Sequence, residues 1–239
     1  ATPGRRDNAP PSAEHAGPDQ HDGRHRTVLE LTEGPMWRVA AFVFLLGVFW
    51  HLAHWVMRRH PKDLSKPVGS GFAGAVGTLF RHFLPSPHFL SRNWLVTFAG
   101  YAFHLGLFAL ILFFGPHIEF IQTHITGFGW EPMPYWGFIV ACQLAFAGLL
   151  ILWLKRVLDP VLRLISDSGD QVGTLLTFIV MLTGCMALMQ SYDFLRALHM
   201  LTVNLWLIYF PFSRLMHAFT WVLSRAETGA VYGRRGSSL

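Results

Sequence analysis

The sequence predicts an all-α membrane protein, a bundle of five transmembrane helices. Three observations predict it. Of the 239 residues, 52% are hydrophobic and only 14% are charged. The apolar residues gather in five runs of roughly 20, the length a helix needs to cross the hydrocarbon core of a bilayer. The basic residues that give a formal net charge of +5 lie in loops beside those runs. That placement is a topology signal and not a nucleic-acid footprint, so no nucleic-acid partner is expected.

The elements follow in order. Residues 1–34 form a polar N-terminal tail with three histidines, His15, His21 and His25, expected to carry little structure of its own. No short apolar core followed by a cleavage site is visible in it. The membrane domain is placed at 35–224. Its first span is Trp37–Met57, which ends in Arg58, Arg59 and His60. The loop at 58–92 carries six Lys/Arg: Arg58, Arg59, Lys62, Lys66, Arg81 and Arg92. Within it, 69–84 is Gly-rich and mildly amphipathic, a pattern suited to the membrane interface. The second span is 93–115 and is closed by Pro116. The loop at 116–134 has no Lys or Arg, but holds His117, Glu119, His124 and Glu131. The third span, 135–154, is followed by Lys155, Arg156 and Arg163. A turn at 166–170 leads to the fourth span, 171–192. The fifth, 194–212, runs on past Pro211 to His217. A basic tail at 225–239 contains Arg225, Arg234 and Arg235. The positive-inside rule then puts the N-terminus outside and the C-terminus in the cytoplasm, in the cell's inner (plasma) membrane. The N-terminal tail's own Arg5, Arg6, Arg24 and Arg26 count against that orientation.

Two cysteines, Cys142 and Cys185, fall in apolar runs without metal-motif spacing and read as packed thiols. The thirteen histidines carry more information. His199 and His217 are 18 residues apart, five turns of one helix, so both project from one face about 27 Å apart along the axis. Histidines inside a span are costly and mark function. Two imidazoles on one iron make a low-spin electron carrier, so this stripe reads as axial ligands for two haems. His104, inside the second run, is the expected partner of His217; the plainer reading is a core histidine bonded to a backbone carbonyl. For His199 the candidates are His117 first and His124 second. On an unbroken helix His117 points roughly 140° away from His104, but Pro116 can break the regularity. His51 and His54, near the inner end of the first span with Trp50 and Trp55, read as interfacial rings. The sharper alternative is a quinone or proton site, or an inner haem ligand. His60, His82 and His88 read as surface residues or partner contacts. Arg214 and Arg196, each three residues before a histidine, can hold a haem propionate with a bidentate pair, or snorkel to the interface.

These residues resemble the membrane cytochrome b (gamma) subunit of respiratory nitrate reductases and its wider family. The likeness is specific at Phe103-His104-Leu105-Gly106, and in the last span, where His199 and His217 enclose 17 residues and the run ends FPFSRLMH. Spans, loop lengths and polarity agree over about 37–225. The resemblance implies a five-helix protein with two b haems between the second and fifth helices. His104 and His217 would bind the inner haem, and His199 one face of the outer haem. The family's second helix carries a further histidine ten residues on, where this chain has Phe114. The loop at 116–134 looks more like related cytochromes associated with dissimilatory sulfite reductase, which are joined to a cytoplasmic iron–sulfur subunit related to heterodisulfide reductases. This chain has no cysteine cluster, so iron–sulfur centres would lie on partner chains.

The implied function is that of an oxidoreductase subunit, active within a complex. It would exchange electrons between the quinone pool and an iron–sulfur partner. Quinol would be oxidised beside the outer haem, in a pocket lined by Phe113, Phe114, His117 and the loop through Trp130. Two other readings compete: a single-haem cytochrome using only His104 and His217, and a non-redox anchor or transporter whose histidines bind substrate or protons.

Overall fold

The structure, a computed structural model, describes residues 27–58, 64–81, 83, 85–188 and 192–237. The expectations for His15, His21, His25, His60 and His82 lie outside the described residues. Within them every regular element is helical. Helix α1, Thr27–Met57, is one 31-residue helix with a π turn at Thr32–Met36. Its start lies inside the tail expected at 1–34, so that boundary moves towards the N-terminus. Helix α2 is Gly71–Arg81, the amphipathic piece of the first loop. Helix α3, Pro87–Phe113, begins where Ser86 accepts the Phe89 N–H and Pro87 occupies the first turn, two standard N-terminal devices. A short helix α4, Gly115–Ile121, follows the break at Phe114, and a π turn at Gln122–Thr126 extends it.

Helix α5, Tyr135–Leu158, starts after Pro134 and stops at Asp159, whose carboxylate accepts the Val161 and Leu162 N–H groups of α6, Pro160–Ile165. Asp167 and Asp170 form a reciprocal capping box that starts α7, Ser168–Met186. Helix α8 is Asp193–Tyr209. Two 3-10 turns, Phe210–Phe212 and Arg214–Met216, join it to α9, His217–Arg234.

Four of these helices, α1, α3, α5 and α7, are long and apolar enough to cross a membrane. Phe42, Leu45, Leu46 and Phe49 on α1 are all more than half exposed, the reverse of a water-soluble surface and the expected face towards lipid. Helix α8 is 17 residues long. The expectation that it runs unbroken to His217 is corrected. Pro211 supplies no N–H to continue the α ladder, and Ser213 is extended (φ −123°, ψ 173°).

Close backbone approach, not side-chain bulk, joins α3 to α5. A Cβ on Gly106 would lie 2.6 Å from the Ala141 carbonyl oxygen and 2.7 Å from the Ala145 nitrogen. A Cβ on Gly148 would lie 2.5 Å from the Ala99 oxygen. Small residues at helix contacts are how membrane helices gain dispersion contact when lipid is as apolar as the core. Ala145 and Leu149 on α5 then meet Met181 on α7, with Phe103 and Phe178 around them. Val48 on α1 meets Phe210 and Met216 at the broken end of α8. Beside the bundle, α2 crosses α9 through Gly74 and Gly233, and Val68 and Gly69 donate to the Arg234 carbonyl. An Arg58–Glu227 ion pair ties α1 to the same place.

Candidate functional site

The chain places four histidines in two facing pairs. His104 on α3 and His217 at the start of α9 have ring centroids 5.9 Å apart, with planes at 86°. His117 on α4 and His199 on α8 have centroids 6.2 Å apart, with planes at 22°. An imidazole nitrogen sits about 2 Å from a metal it ligates and roughly 1 Å from its own ring centre. Two imidazoles on opposite sides of one metal ion therefore have centroids about 6 Å apart. Both pairs match that spacing.

The ring nitrogens point the same way. His104 Nδ1 lies 2.7 Å from the Gly100 carbonyl, His117 Nδ1 2.8 Å from Leu110, and His217 Nδ1 2.8 Å from Arg214. A carbonyl only accepts, so each Nδ1 carries a proton, and in the neutral ring the lone pair is then on Nε2. That is the tautomer and the outer hydrogen bond that ligating histidines use. His199 Nδ1 is 3.3 Å from Thr183 Oγ1, a hydroxyl also bound to Thr202. Burial pushes the His117 imidazole below the usual histidine range, against a smaller opposing pull from the Leu110 carbonyl. The ring is thus held neutral, the form a metal needs.

The break at Phe114 makes the second pair. Phe114 is extended (φ −83°, ψ 129°), which ends α3 and restarts the chain as α4. The last turn of a helix leaves carbonyls without helical partners. Here His117 takes that of Leu110, the Trp130 indole that of Leu112 (2.6 Å), and the Met133 N–H that of Phe113 (2.9 Å). The 140° mismatch expected of an unbroken helix disappears. Phe114 itself stacks on Phe138 and lies edge-on to His117.

A cavity of about 580 Å³ contains this second pair, within the range of small-molecule and cofactor sites. Its walls are mostly apolar, from Leu107, Leu110, Val180, Met181 and Trp206, with Glu33, Arg196 and His124 among its polar groups. Of the quinone-pocket residues read from the sequence, Phe114, His117 and the loop's Glu119, Phe120, Thr123 and His124 line it, and Phe113 is not among its lining residues. Trp130 caps α3 instead. His124 stacks on Phe120 (4.3 Å) and meets Trp37 (5.6 Å), leaving His117 as the ring that faces His199. Cys142 and Cys185 line the same cavity, each as a free thiol. His51 and His54 lie on α1 and His88 in the first turn of α3, outside both pairs.

The two arginines differ. Arg214 is paired with Asp167 (2.6 Å) and Asp170 (3.3 Å) beside His217. Arg196 is paired with Glu33 (3.2 Å) and lies 4.0 Å from Asp193, at the mouth of the cavity. Three residues were missed from the sequence. Thr183 orients His199, and Gly184 leaves it room, since a Cβ there would come within 3.1 Å of the ring. Glu33 was counted with the tail. Only its distance from the first apolar run argued against that, and the length of α1 reverses it.

No protein-family profile matches the chain. A protein of Nitratidesulfovibrio vulgaris is similar to it, 26% identical over 216 residues that cover 86% of this chain and 94% of that protein. The likeness runs over nearly the full length of both.

Proposed function

We propose that the chain is a membrane cytochrome b subunit of a respiratory redox complex, similar to the nitrate reductase gamma subunit and to its relatives associated with dissimilatory sulfite reductase. It exchanges electrons between the quinone pool and a cytoplasmic iron–sulfur partner. The observation that carries this reading is the presence of two imidazole pairs, each at the spacing of one shared metal ion.

The residues fit two b haems. His104 and His217 would hold the inner one, His117 and His199 the outer one. Arg214 and Arg196, each one turn from a ligand, are placed for propionates. When bound, each haem supplies one-electron redox chemistry at a potential its axial ligands help set. The protein's own part is positional. The carbonyls of Gly100, Leu110 and Arg214 hold three rings in the ligating tautomer. The apolar walls around Val180, Met181 and Trp206 keep water from the outer pair. In this reading α8 and its 3-10 continuation form a fifth crossing. The N-terminus then faces outside and the C-terminus the cytoplasm, where the iron–sulfur subunit docks.

The purified protein is expected to show a low-spin haem b spectrum and two haems per chain. His117→Ala or His199→Ala should remove one haem, and His104→Ala or His217→Ala the other. A wild-type chain without haem absorbance would refute the redox reading. Retention of both haems in His117→Ala would refute the outer assignment.

A further inference from the structure

The cavity's polar mouth is built from two π turns on different helices. Thr32–Met36 interrupts α1, and Gln122–Thr126 follows α4. They meet where Trp37 packs edge-on against Phe120 and His124. A π turn carries one extra residue, rotates the side chains after it and weakens the backbone ladder, so single ones recur at functional sites. The first of these turns brings Glu33 into the cavity that holds His117 and His199.

Helix α8 holds that turn twice. Arg196 Nη2 donates to Glu33 Oε1 at 3.2 Å, and Asn204 Nδ2 donates to the Thr32 carbonyl at 3.0 Å. Asn204 is 2% exposed, so the second bond is an interior one. A carboxylate beside apolar walls is costly without a counter-charge. Arg196 supplies it, and Arg196 also faces Asp193 at 4.0 Å. The guanidinium therefore keeps a partner when Glu33 becomes neutral. Oε1 takes the Arg196 bond, which leaves Oε2 to accept from a ligand. The other titratable groups lining the cavity are Glu119, His117, His124, His199, Cys142 and Cys185, and Asp193 faces Arg196. Trp37 and Phe120 give the mouth flat apolar walls suited to a planar ring.

We propose that Glu33 is the carboxylate that accepts a proton from a hydroquinone bound at this mouth, an assignment that rests on the quinol-oxidising reading above. The hydroquinone loses two protons and two electrons and becomes the quinone. One O–H gives its proton to Glu33 and the other to water at the open side. The two electrons would be taken by two equivalents of ferric haem, which the histidine pairs would hold. Glu33 then passes its proton to the outer water phase and returns to its pair with Arg196.

The test uses the full chain with its native partners in detergent. Haem reduction by a soluble naphthohydroquinone is followed at the α band, full reduction by dithionite measures haem content, and quenching of a fluorescent hydroxyquinoline N-oxide reports binding at the mouth. Glu33→Gln is expected to slow hydroquinone-driven reduction at least tenfold, with haem content and inhibitor affinity within twofold of wild type. Glu33→Asp should recover part of the rate. A rate within twofold of wild type in Glu33→Gln overturns the proposal. So does loss of haem from both variants, which would make Glu33 a structural tie. Failure of the wild type itself to accept electrons from the hydroquinone would instead sink the parent reading.

Discussion

Three glycine-to-alanine changes on two helices separate close packing from helix propensity. Gly106 and Gly148 lie where α3 and α5 touch backbone to backbone. A methyl on Gly148 would meet the Ala99 oxygen at 2.5 Å and the Phe103 nitrogen at 2.6 Å, against 3.4 Å for ordinary contact. Both obstacles are main-chain atoms, so the helices must part. Overpacking of this kind costs about 1–3 kcal/mol, and the gain in helix propensity returns up to about 1 kcal/mol. Gly148→Ala and Gly106→Ala should therefore lose about 1–2 kcal/mol net. Gly100, on the same helix, has nothing within 4 Å of its would-be Cβ. Gly100→Ala should keep the propensity gain alone and be neutral or slightly stabilised, although its carbonyl faces His104. Equilibrium unfolding in mixed dodecylmaltoside and dodecyl sulfate micelles compares the three. Because Phe103 adjoins His104, Gly148→Ala should also broaden the spectrum of the haem proposed to lie between His104 and His217. Equal stability of Gly148→Ala and Gly100→Ala would refute the claim that backbone contact joins these helices.

Other expected outcomes follow from the same geometry. Gly184→Ala places a methyl 3.1 Å from the His199 ring, so on the proposed two-haem reading the low-spin resonance of the haem at His199 should shift and that of the other stay fixed, read by electron paramagnetic resonance. Asn204→Asp buries a carboxylate at a position 2% exposed, so its thermal midpoint in detergent should fall below that of Asn204→Leu, which loses only the Thr32 bond. Asp167 is held below the usual carboxylate range, first by the Asp170 N–H and then by Arg214. Its folded pKa is below its unfolded one, so its contribution is complete above about pH 4 and is lost as pH falls through the folded value. Thermal melts from pH 6 downward should show a smaller acid loss in Asp167→Asn than in wild type.

Much of the helical layout was legible because bilayer thickness imposes a length on every apolar run. Trp37–Met57 and the start of α5 needed only hydropathy and Pro134, whereas the Asp167–Asp170 box starts α7 at Ser168, ahead of the expected 171, and the helix ends at Met186, short of the expected 192. The histidines were legible as residues, since an imidazole in an apolar run has few other reasons to be there. How they meet was not. Helical phase from His104 to His117, and from His199 to His217, assumed continuous helices, and the chain breaks at Phe114 and again at Ser213. Those breaks depend on which carbonyls find outside partners, such as Leu110 with His117. Such a partner is a tertiary fact that local spacing does not encode. Pro116 and Pro211 marked both places without giving the angle. The start of α1 was misplaced for a related reason: Glu33 and Pro35 look like loop residues until Arg196 and Asn204 are present to hold them.

The crossing of α2 with α9 has a consequence for how the protein is made. Gly74 must meet Gly229 and Gly233, roughly 150 residues later in synthesis. Until then α2 has lost none of its amphipathic character and has no partner. The bilayer surface is the natural place for such a helix to wait. A ribosome-stalled chain ending short of Gly229 should therefore show α2 accessible to protease and partitioned onto lipid, while α1 is already inserted. Release of the stall would draw the loop after α1 off the membrane and onto the newly emerged helix, making this contact a late checkpoint of biogenesis.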